Sequence, residues 1–423
     1  MKNTKETFAI GFGIFAAFFG AGNLILPPLL GFKSGPDWWL VAIGFITSAT
    51  IIPLLALFAH ARLQGTMLDF GKKVSPIFSL IFCLCVYGIA ISLPCPRTAA
   101  VTHEMAIAPY FGTSSLLTSA IYFTLVFFFV MNRTNVLQIL GKYLTPLIGI
   151  ILLTIIVIGI ASPITEIAPS SFQIPLVDGF LEGYQTYDAL AGLLTGGIVI
   201  ISLDLKGYTS FEEKKSIIAR SGFIAMMGLF IIYAGLIATG SNFNTQFDPE
   251  ISRPELLSGL SLKTLGNIGT TFLSVLVALA CFTTAVGIIV GTADFFKGLF
   301  KESKKAYLIT TIIACLLGIL VGQLDVHYII DVALPALMFI YPLTIVLIFL
   351  NVIPKRLASK TVFRYVVMIT FIFSIPDFLG FLIPPENLEG VKSVLPFAKQ
   401  NLGWVIPAIL AFIVANLTVE KTK

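Results

Sequence analysis

The chain has 423 residues, of which 57% are hydrophobic and only 12% charged, and its mean hydropathy is +0.96. A soluble domain of this length does not present that composition to water, so the solvent is a bilayer, and little chain is left over for a folded domain outside it. The net charge of +5 follows from the way basic residues fall in the loops and calls for no nucleic-acid partner.

A helix needs about 20 mostly apolar residues to cross the hydrocarbon, and such stretches run almost end to end. In chain order the pattern predicts about 12 transmembrane helices. They cover residues 8–31, 38–59, 77–101, 116–131, 139–161 and 176–205, then 217–240, 265–296, 307–322, 328–350, 362–383 and 402–417. The first is too long in its apolar part for a cleaved signal peptide and lacks a small-residue cleavage site, so it is expected to stay. No long linker or low-complexity tract appears, which predicts a single transmembrane domain over 1–423. The segment 241–264, with Asp248, Glu250, Arg253 and Glu255, has room for a short helix outside the membrane.

When loops are assigned alternately to two sides, one side collects all of the 27 Lys and Arg except Lys33, Arg97, Arg253, Lys263, Lys392 and Lys399. Arg133, Lys421 and Lys423 belong to the basic majority. This asymmetry predicts that both termini are cytoplasmic in a cell membrane. Cys83, Cys85, Cys95, Cys281 and Cys315 fall inside apolar runs with no histidine at metal-ligand spacing and are expected to be free and buried. His60, His103 and His327 fall near span ends and are expected as interfacial polar tips.

Two spans differ from the rest. Helix 1 breaks its apolar run with Phe18-Phe19-Gly20-Ala21-Gly22-Asn23-Leu24 followed by Pro27-Pro28. Helix 6 does so with Glu182-Gly183-Tyr184-Gln185-Thr186-Tyr187-Asp188, then Gly192, Gly196 and Gly197. Unwound backbone inside a bilayer survives only where protein or a wet cavity satisfies it, and paired interruptions in two halves point to a transporter's binding site. That spacing predicts a five-plus-five inverted repeat, helices 1–5 (about 8–161) against helices 6–10 (about 176–350), with helices 11 and 12 (about 362–417) appended. Glycine alone is common in membrane helices for close packing; the added Asn23 and proline pair favour the functional reading.

The chemistry follows from the break. Exposed N–H groups at the start of one half-helix and exposed carbonyls at the end of the other attract opposite charges, which suits a zwitterion. A carboxylate fits the N–H groups of Ala21 and Gly22, and an ammonium group fits carbonyls near Phe18 and the helix 6 break. Candidate substrate contacts are Phe18, Phe19, Gly20, Ala21, Gly22, Asn23, Tyr184, Thr186 and Asp188. Phe12, Phe15, Phe18, Phe19 and Leu24 predict an apolar pocket that rejects charged side chains. A hard cation needs oxygen ligands, and helix 8 offers the hydroxyls of Thr283 and Thr284, which have the alternative of bonding back to their own helix. Asp188 has three candidate roles: receiving an ammonium group, carrying a coupling proton, or capping the inner half of helix 6. Arg97 with Glu104 either gates an external vestibule or fixes helix 3 at the interface.

At these residues the chain resembles the branched-chain amino acid carrier family, the branched-chain amino acid:cation symporters. The resemblance runs from helix 1 nearly to the C-terminus and rests on Phe18 through Pro28, Pro96-Arg97-Thr98-Ala99, Gly183 through Ala191, and Tyr341-Pro342. The Gly-x-Gly-Asn break ending in proline and Ala280-Cys281-Phe282-Thr283-Thr284 are also similar to sodium symporters of the wider five-plus-five superfamily. What the resemblance implies is sodium symport of leucine, isoleucine or valine, with a sodium shell from the carbonyls of Ala16, Phe19 and Ala280 and the hydroxyls of Thr283 and Thr284. A second sodium site departs from the pattern, since helix 7 offers no amide to pair with Asn23. A proton is the alternative coupling ion, and no other cofactor is implied. Neither an HExxH motif nor an acidic pair of a membrane enzyme is present, and a channel would be expected to repeat a filter or charged ring rather than break two different helices.

Overall fold

The computed structural model describes residues 2–132, 136–163 and 166–420; Arg133, Lys421 and Lys423 of the basic pattern lie outside them. Among the described residues every regular element is helical. Ten helical runs among the described residues are long and apolar enough to cross a membrane, and the last helix has a shorter apolar stretch, Val405–Thr418. Exposed Ile77, Ile150, Val157, Leu205 and Leu320 place apolar side chains on the outside of the bundle, as lipid requires.

The chain opens with α1 (Lys2–Phe18) and α2 (Ala21–Ser34), the two halves of helix 1. Helix 2 comprises α3 (Trp38–Ile46) and α4 (Ile52–Leu63), joined through a wide π turn at Thr47–Ile51. After the short α5 (Leu68–Gly71), helix 3 divides into α6 (Pro76–Ser92) and α7 (Pro94–Thr102), because Pro94 and Pro96 cannot donate into the preceding turn. Helices 4 and 5 are α8 (Ser115–Asn132) and α9 (Val136–Ala161). Helix 6 divides into α10 (Pro175–Glu182) and α11 (Asp188–Leu205). Next comes α12 (Phe211–Asn242), then α13 (Arg253–Leu299).

Within α13, Gly266 at φ +69° and ψ −173° makes a kink that only glycine adopts without strain. The kink separates the expected short helix from helix 8, and Ser252 and Glu255 cap the short helix reciprocally. The chain ends with α14 (Lys304–Gly322), α15 (Val326–Val352), α16 (Lys360–Leu379), the short α17 (Glu389–Val394) and α18 (Val405–Glu420). Residues 166–174, 243–252 and 380–404 lie at one end of the bundle, here the loop-rich face; the other end is the lysine-rich face.

Two close crossings fix the halves of the broken helices. On α2 against α12, a Cβ added at Gly31 would lie 1.8 Å from the Ile237 carbonyl, and one at Gly240 would lie 2.0 Å from that of Pro28. On α3 against α10, a Cβ at Gly44 would lie 1.9 Å from the Leu176 carbonyl, and one at Gly179 would lie 2.3 Å from that of Val41. Helix 1 thus rests on helix 7 as helix 6 rests on helix 2, each backbone to backbone.

Three expectations need correction. His60 is fully buried rather than interfacial: its ring nitrogens lie 3.1 Å from the Gly65 carbonyl and 2.8 Å from that of Leu193, tying the end of α4 to α11. Cys85 faces outward, whereas Cys83, Cys95, Cys281 and Cys315 are buried. Phe12 also points away from the core, at 54% exposure, because the buried face of α1 centres on Ile14, Phe15 and Phe18 and Phe12 lies past its edge.

Candidate functional site: two helix breaks around one buried cavity

The helix 1 break takes two residues. Phe18 closes α1, and the Gly20 N–H turns back to the Phe18 carbonyl at 2.9 Å, with Asn23 Oδ1 at 3.3 Å. In a continuous helix that N–H would bond to the carbonyl of Ala16, four residues back, so the break removes the helical donor from Ala16.

The helix 6 break is longer. A 3-10 turn at Gly183–Thr186 leads to Tyr187 in the left-handed region at φ +63°, and α11 starts at Asp188. Thr186 ties the turn together: its hydroxyl donates to the Gly183 carbonyl at 2.8 Å and accepts from the Asp188 N–H at 3.2 Å. A left-handed tyrosine costs about 1–3 kcal/mol and persists only where its surroundings hold it.

Asp188 is where the breaks meet. Asn23 Nδ2 donates to its two oxygens at 2.9 and 2.8 Å, and the Tyr233 hydroxyl of α12 donates to Oδ2 at 2.9 Å. Asn23 also donates to the Tyr233 hydroxyl, closing a three-membered network. All three residues are buried. The capping role considered for Asp188 is not what the side chain does, since it reaches across to helices 1 and 7 instead of back to the N–H groups of α11.

Arg97 of α7 reaches the same place from helix 3. It is 3% exposed, its Nη1 donates to the Gln185 carbonyl at 2.9 Å, and its guanidinium lies 5.1 Å from the Tyr187 ring centre. A Cβ added at Gly22 would fall 2.2 Å from Nη2, so the guanidinium presses on bare helix 1 backbone. Glu104, named with Arg97 as a gate, is engaged elsewhere. Glu104 accepts from the Val326 N–H at 2.9 Å, at the start of α15.

Between these groups lies a cavity of about 90 Å³, room for several waters. Of the predicted substrate contacts, Phe18, Gly20, Gly22, Asn23, Thr186 and Asp188 line it, and Phe19 and Tyr184 stand outside the lining; the side chain of Ala21 lies outside what the structure describes. Tyr184 instead stacks on Tyr341 of α15 with ring centres 4.2 Å apart. The remaining walls are mainly apolar and include Leu190, Leu194 and Ile288.

Of the proposed cation ligands, Thr284 lines the cavity and faces the break: a Cβ at Gly20 would lie 3.5 Å from its Cγ2 and 3.8 Å from its Oγ1. Thr283 bonds back to the Ala280 carbonyl at 3.0 Å, the alternative open to it from the sequence. Towards the loop-rich face, Gln185 Nε2 donates to Glu182 at 2.9 Å, and Arg253 Nη2 lies 3.7 Å from the same carboxylate. Beyond that tie is a larger hollow of about 700 Å³, with His103, Glu104, Arg253 and Asp325 in its wall.

Sequence reasoning missed Tyr233, Gln185 and Tyr187. Tyr233 carried a weak signal as a hydroxyl in the middle of the apolar run Phe230-Ile231-Ile232-Tyr233-Ala234, where a partner is obligatory.

The chain as a whole is similar to known proteins. A family model described as branched-chain amino acid transport protein matches residues 3–422. The chain belongs to that family. The transporter is 33% identical to the branched-chain amino acid transport system 2 carrier protein of Pseudomonas aeruginosa, over 97% of this chain and 95% of the relative. It is 31% identical to the branched-chain amino acid permease BraB of Bacillus subtilis, over 97% and 94%. Its relatives are carriers and permeases, which makes it a transporter rather than an enzyme. Among solved structures, the inward-facing conformation of Mhp1 superposes with a TM-score of 0.62 at 13% identity, over 98% of this chain and 91% of Mhp1. MhsT in complex with L-phenylalanine superposes at 0.54 and 17%, over 96% and 98%. At such identities the transporter shares their fold, the LeuT-type helical architecture.

Proposed function

We propose that the transporter imports leucine, isoleucine and valine by symport with sodium, alternating access around the cavity between the two helix breaks. The observation that carries this reading is the meeting of both breaks at one buried site, with the Ala16 carbonyl freed by the turn at Gly20 and the Thr284 side chain facing that turn. Carbonyls of Ala16, Phe19 and Ala280 with the hydroxyls of Thr283 and Thr284 make an all-oxygen shell suited to a hard cation; Thr283 joins by turning from its own helix. The apolar wall suits a branched aliphatic side chain, because an unpaired charge buried there would cost far more than the roughly 0.8 kcal/mol gained per buried methylene.

The reciprocal crossings of α2 on α12 and α10 on α3 support the five-plus-five inverted repeat in one transmembrane domain, with about 12 crossings surrounded by lipid. The basic loops support a cytoplasmic lysine-rich face carrying both termini, so that the loop-rich face is external and its hollow receives substrate.

The test is uptake of labelled leucine into proteoliposomes with sodium and pH gradients imposed separately. A tenfold sodium gradient with 100 mV supplies roughly 3.7 kcal/mol per ion, enough for several hundredfold accumulation. Thr283→Ala with Thr284→Ala is expected to abolish the sodium stimulation, and sodium dependence that survives removes this site from the account. Asp188, buried against the cavity, favours a second reading in which a proton is the coupling ion. In that case Asp188→Asn loses pH-driven accumulation and keeps exchange, whereas wild-type accumulation indifferent to pH ends it.

A further inference from the structure

The cavity holds two opposite buried charges that do not meet. Arg97 forms no ion pair among the described residues, its Nε has no partner, and its one charged neighbour across the cavity is Asp188. Asp188 in turn is held by neutral donors, the Asn23 amide and the Tyr233 hydroxyl. A guanidinium placed in the interior of a membrane protein without a counter-ion costs several kcal/mol, and such groups persist where they pair with a ligand. Its placement is specific. Arg97 presses on Gly22 while Asp188 is bonded to Asn23, so the positive and the negative group sit over adjacent residues in the first turn of α2. Both groups line the one small cavity, so a single zwitterion held there has a cation for its carboxylate and an anion for its ammonium group.

We propose that Arg97 is the specificity residue that receives the substrate's carboxylate, and that the substrate completes a charge pair the protein leaves open. The inference rests on the transport of amino acids proposed above and assigns a recognition role to a helix 3 side chain in addition to the helix 1 backbone. The N–H groups at the start of α2 lie beside the guanidinium, so backbone dipole and side-chain charge act on the same anion. Gly22 is a requirement of this arrangement: any side chain there would occupy the position of Nη2. The planar fork of arginine matches a carboxylate in two parallel bonds, which lysine cannot reproduce.

The experiment measures displacement of labelled leucine from the purified full-length transporter in nanodiscs by unlabelled leucine and by leucinamide, which keeps the ammonium group and side chain and lacks the carboxylate. The wild type is expected to prefer leucine by about a hundredfold or more, the scale of a bidentate charged contact. Arg97→Gln is expected to reduce that preference to a few-fold, and Arg97→Lys to keep an intermediate preference, roughly tenfold. Each ratio is taken within one protein, so partial loss of folded material does not change it. An Arg97→Gln protein that retains the wild-type ratio overturns the proposal, as does a wild type that binds leucinamide as well as leucine. If Arg97→Gln does not survive purification, Arg97→Lys decides, and an undiminished ratio there overturns it. A wild type that binds leucinamide and leucine weakly but lysine or glutamate tightly would instead refute the branched-chain reading while the Arg97 ratios still report on the carboxylate.

Discussion

The two interrupted helices solve the same problem in different ways. Between α1 and α2 the chain needs only Phe19 and Gly20, both at ordinary backbone angles, with Gly20 at φ −102°, and the turn leaves the Ala16 carbonyl without its helical donor. Between α10 and α11 it takes Gly183 to Tyr187, ends on a left-handed tyrosine, and has its exposed Gln185 carbonyl taken by Arg97. The first break is open on its acceptor side and the second is closed on its own. The cation proposed above would therefore meet a carbonyl without its helical donor at helix 1, while at helix 6 a positive charge is already supplied by Arg97.

Filling the space between the breaks is the most severe way to disturb this division. Gly22→Val places carbon where the Arg97 guanidinium lies, 2.2 Å from Nη2, and helix 1 backbone cannot retreat while α2 is clamped to α12 at Gly31 and Gly240. We expect leucine uptake to fall by about a hundredfold or more, since a charged contact to the carboxylate is lost. Uptake in proteoliposomes at matched protein levels checks it, and wild-type rates in the valine variant would mean that Arg97 and Gly22 do not share the site.

The sequence showed the first break more completely than the second. Phe18 through Pro28 carries its own irregularity, with two glycines, an asparagine and two prolines in one short stretch, and the helix does end at Phe18. Helix 6 was recognisable as interrupted, but the partners that shape it lie far along the chain: Asn23 is 165 residues from Asp188, and Tyr233 is 45. No periodicity or local spacing encodes such pairings. Arg97 was conspicuous as a charge within an apolar run, yet its direction depended on how Pro94 and Pro96 redirect helix 3. Glu104, about two turns beyond, accepts from the start of α15, a bond that the spacing along helix 3 does not encode. His60 misled for the same reason: nearness to a span end says nothing about which neighbouring helix covers it.

The network at Asp188 offers a graded test of how the breaks are coupled. Asn23 supplies two contacts, at 2.9 and 2.8 Å, and Tyr233 supplies one at 2.9 Å. A hydrogen bond to a charged group contributes about 1.5–3 kcal/mol, so Tyr233→Phe is expected to weaken leucine binding roughly tenfold and Asn23→Ala more than that. Because the three groups bond one another, the double variant should lose less than the product of the single losses. Titration of the purified variants with leucine gives the numbers, and a larger effect of Tyr233→Phe than of Asn23→Ala would place the centre of the network on helix 7 instead of helix 1.

The smallest effect is expected where the first break is most tolerant. Gly20 has an extended conformation that any residue adopts, and a Cβ there meets Thr284 at ordinary contact distance, 3.5 Å to Cγ2. Gly20→Ala should therefore leave thermal stability unchanged or raise it by about 0.4–1 kcal/mol through the lower freedom of the unfolded chain. Gly266 is the control, because at φ +69° and ψ −173° it occupies a region closed to side chains even though a Cβ there would meet no neighbour. Gly266→Ala is expected to destabilise by about 1–3 kcal/mol from backbone strain alone. Thermal unfolding of both proteins in detergent separates the cases. If Gly20→Ala proves as damaging as Gly266→Ala, the helix 1 turn depends on glycine for close approach to a ligand or ion rather than for its shape, and the asymmetry between the two breaks rests on space instead of backbone angle.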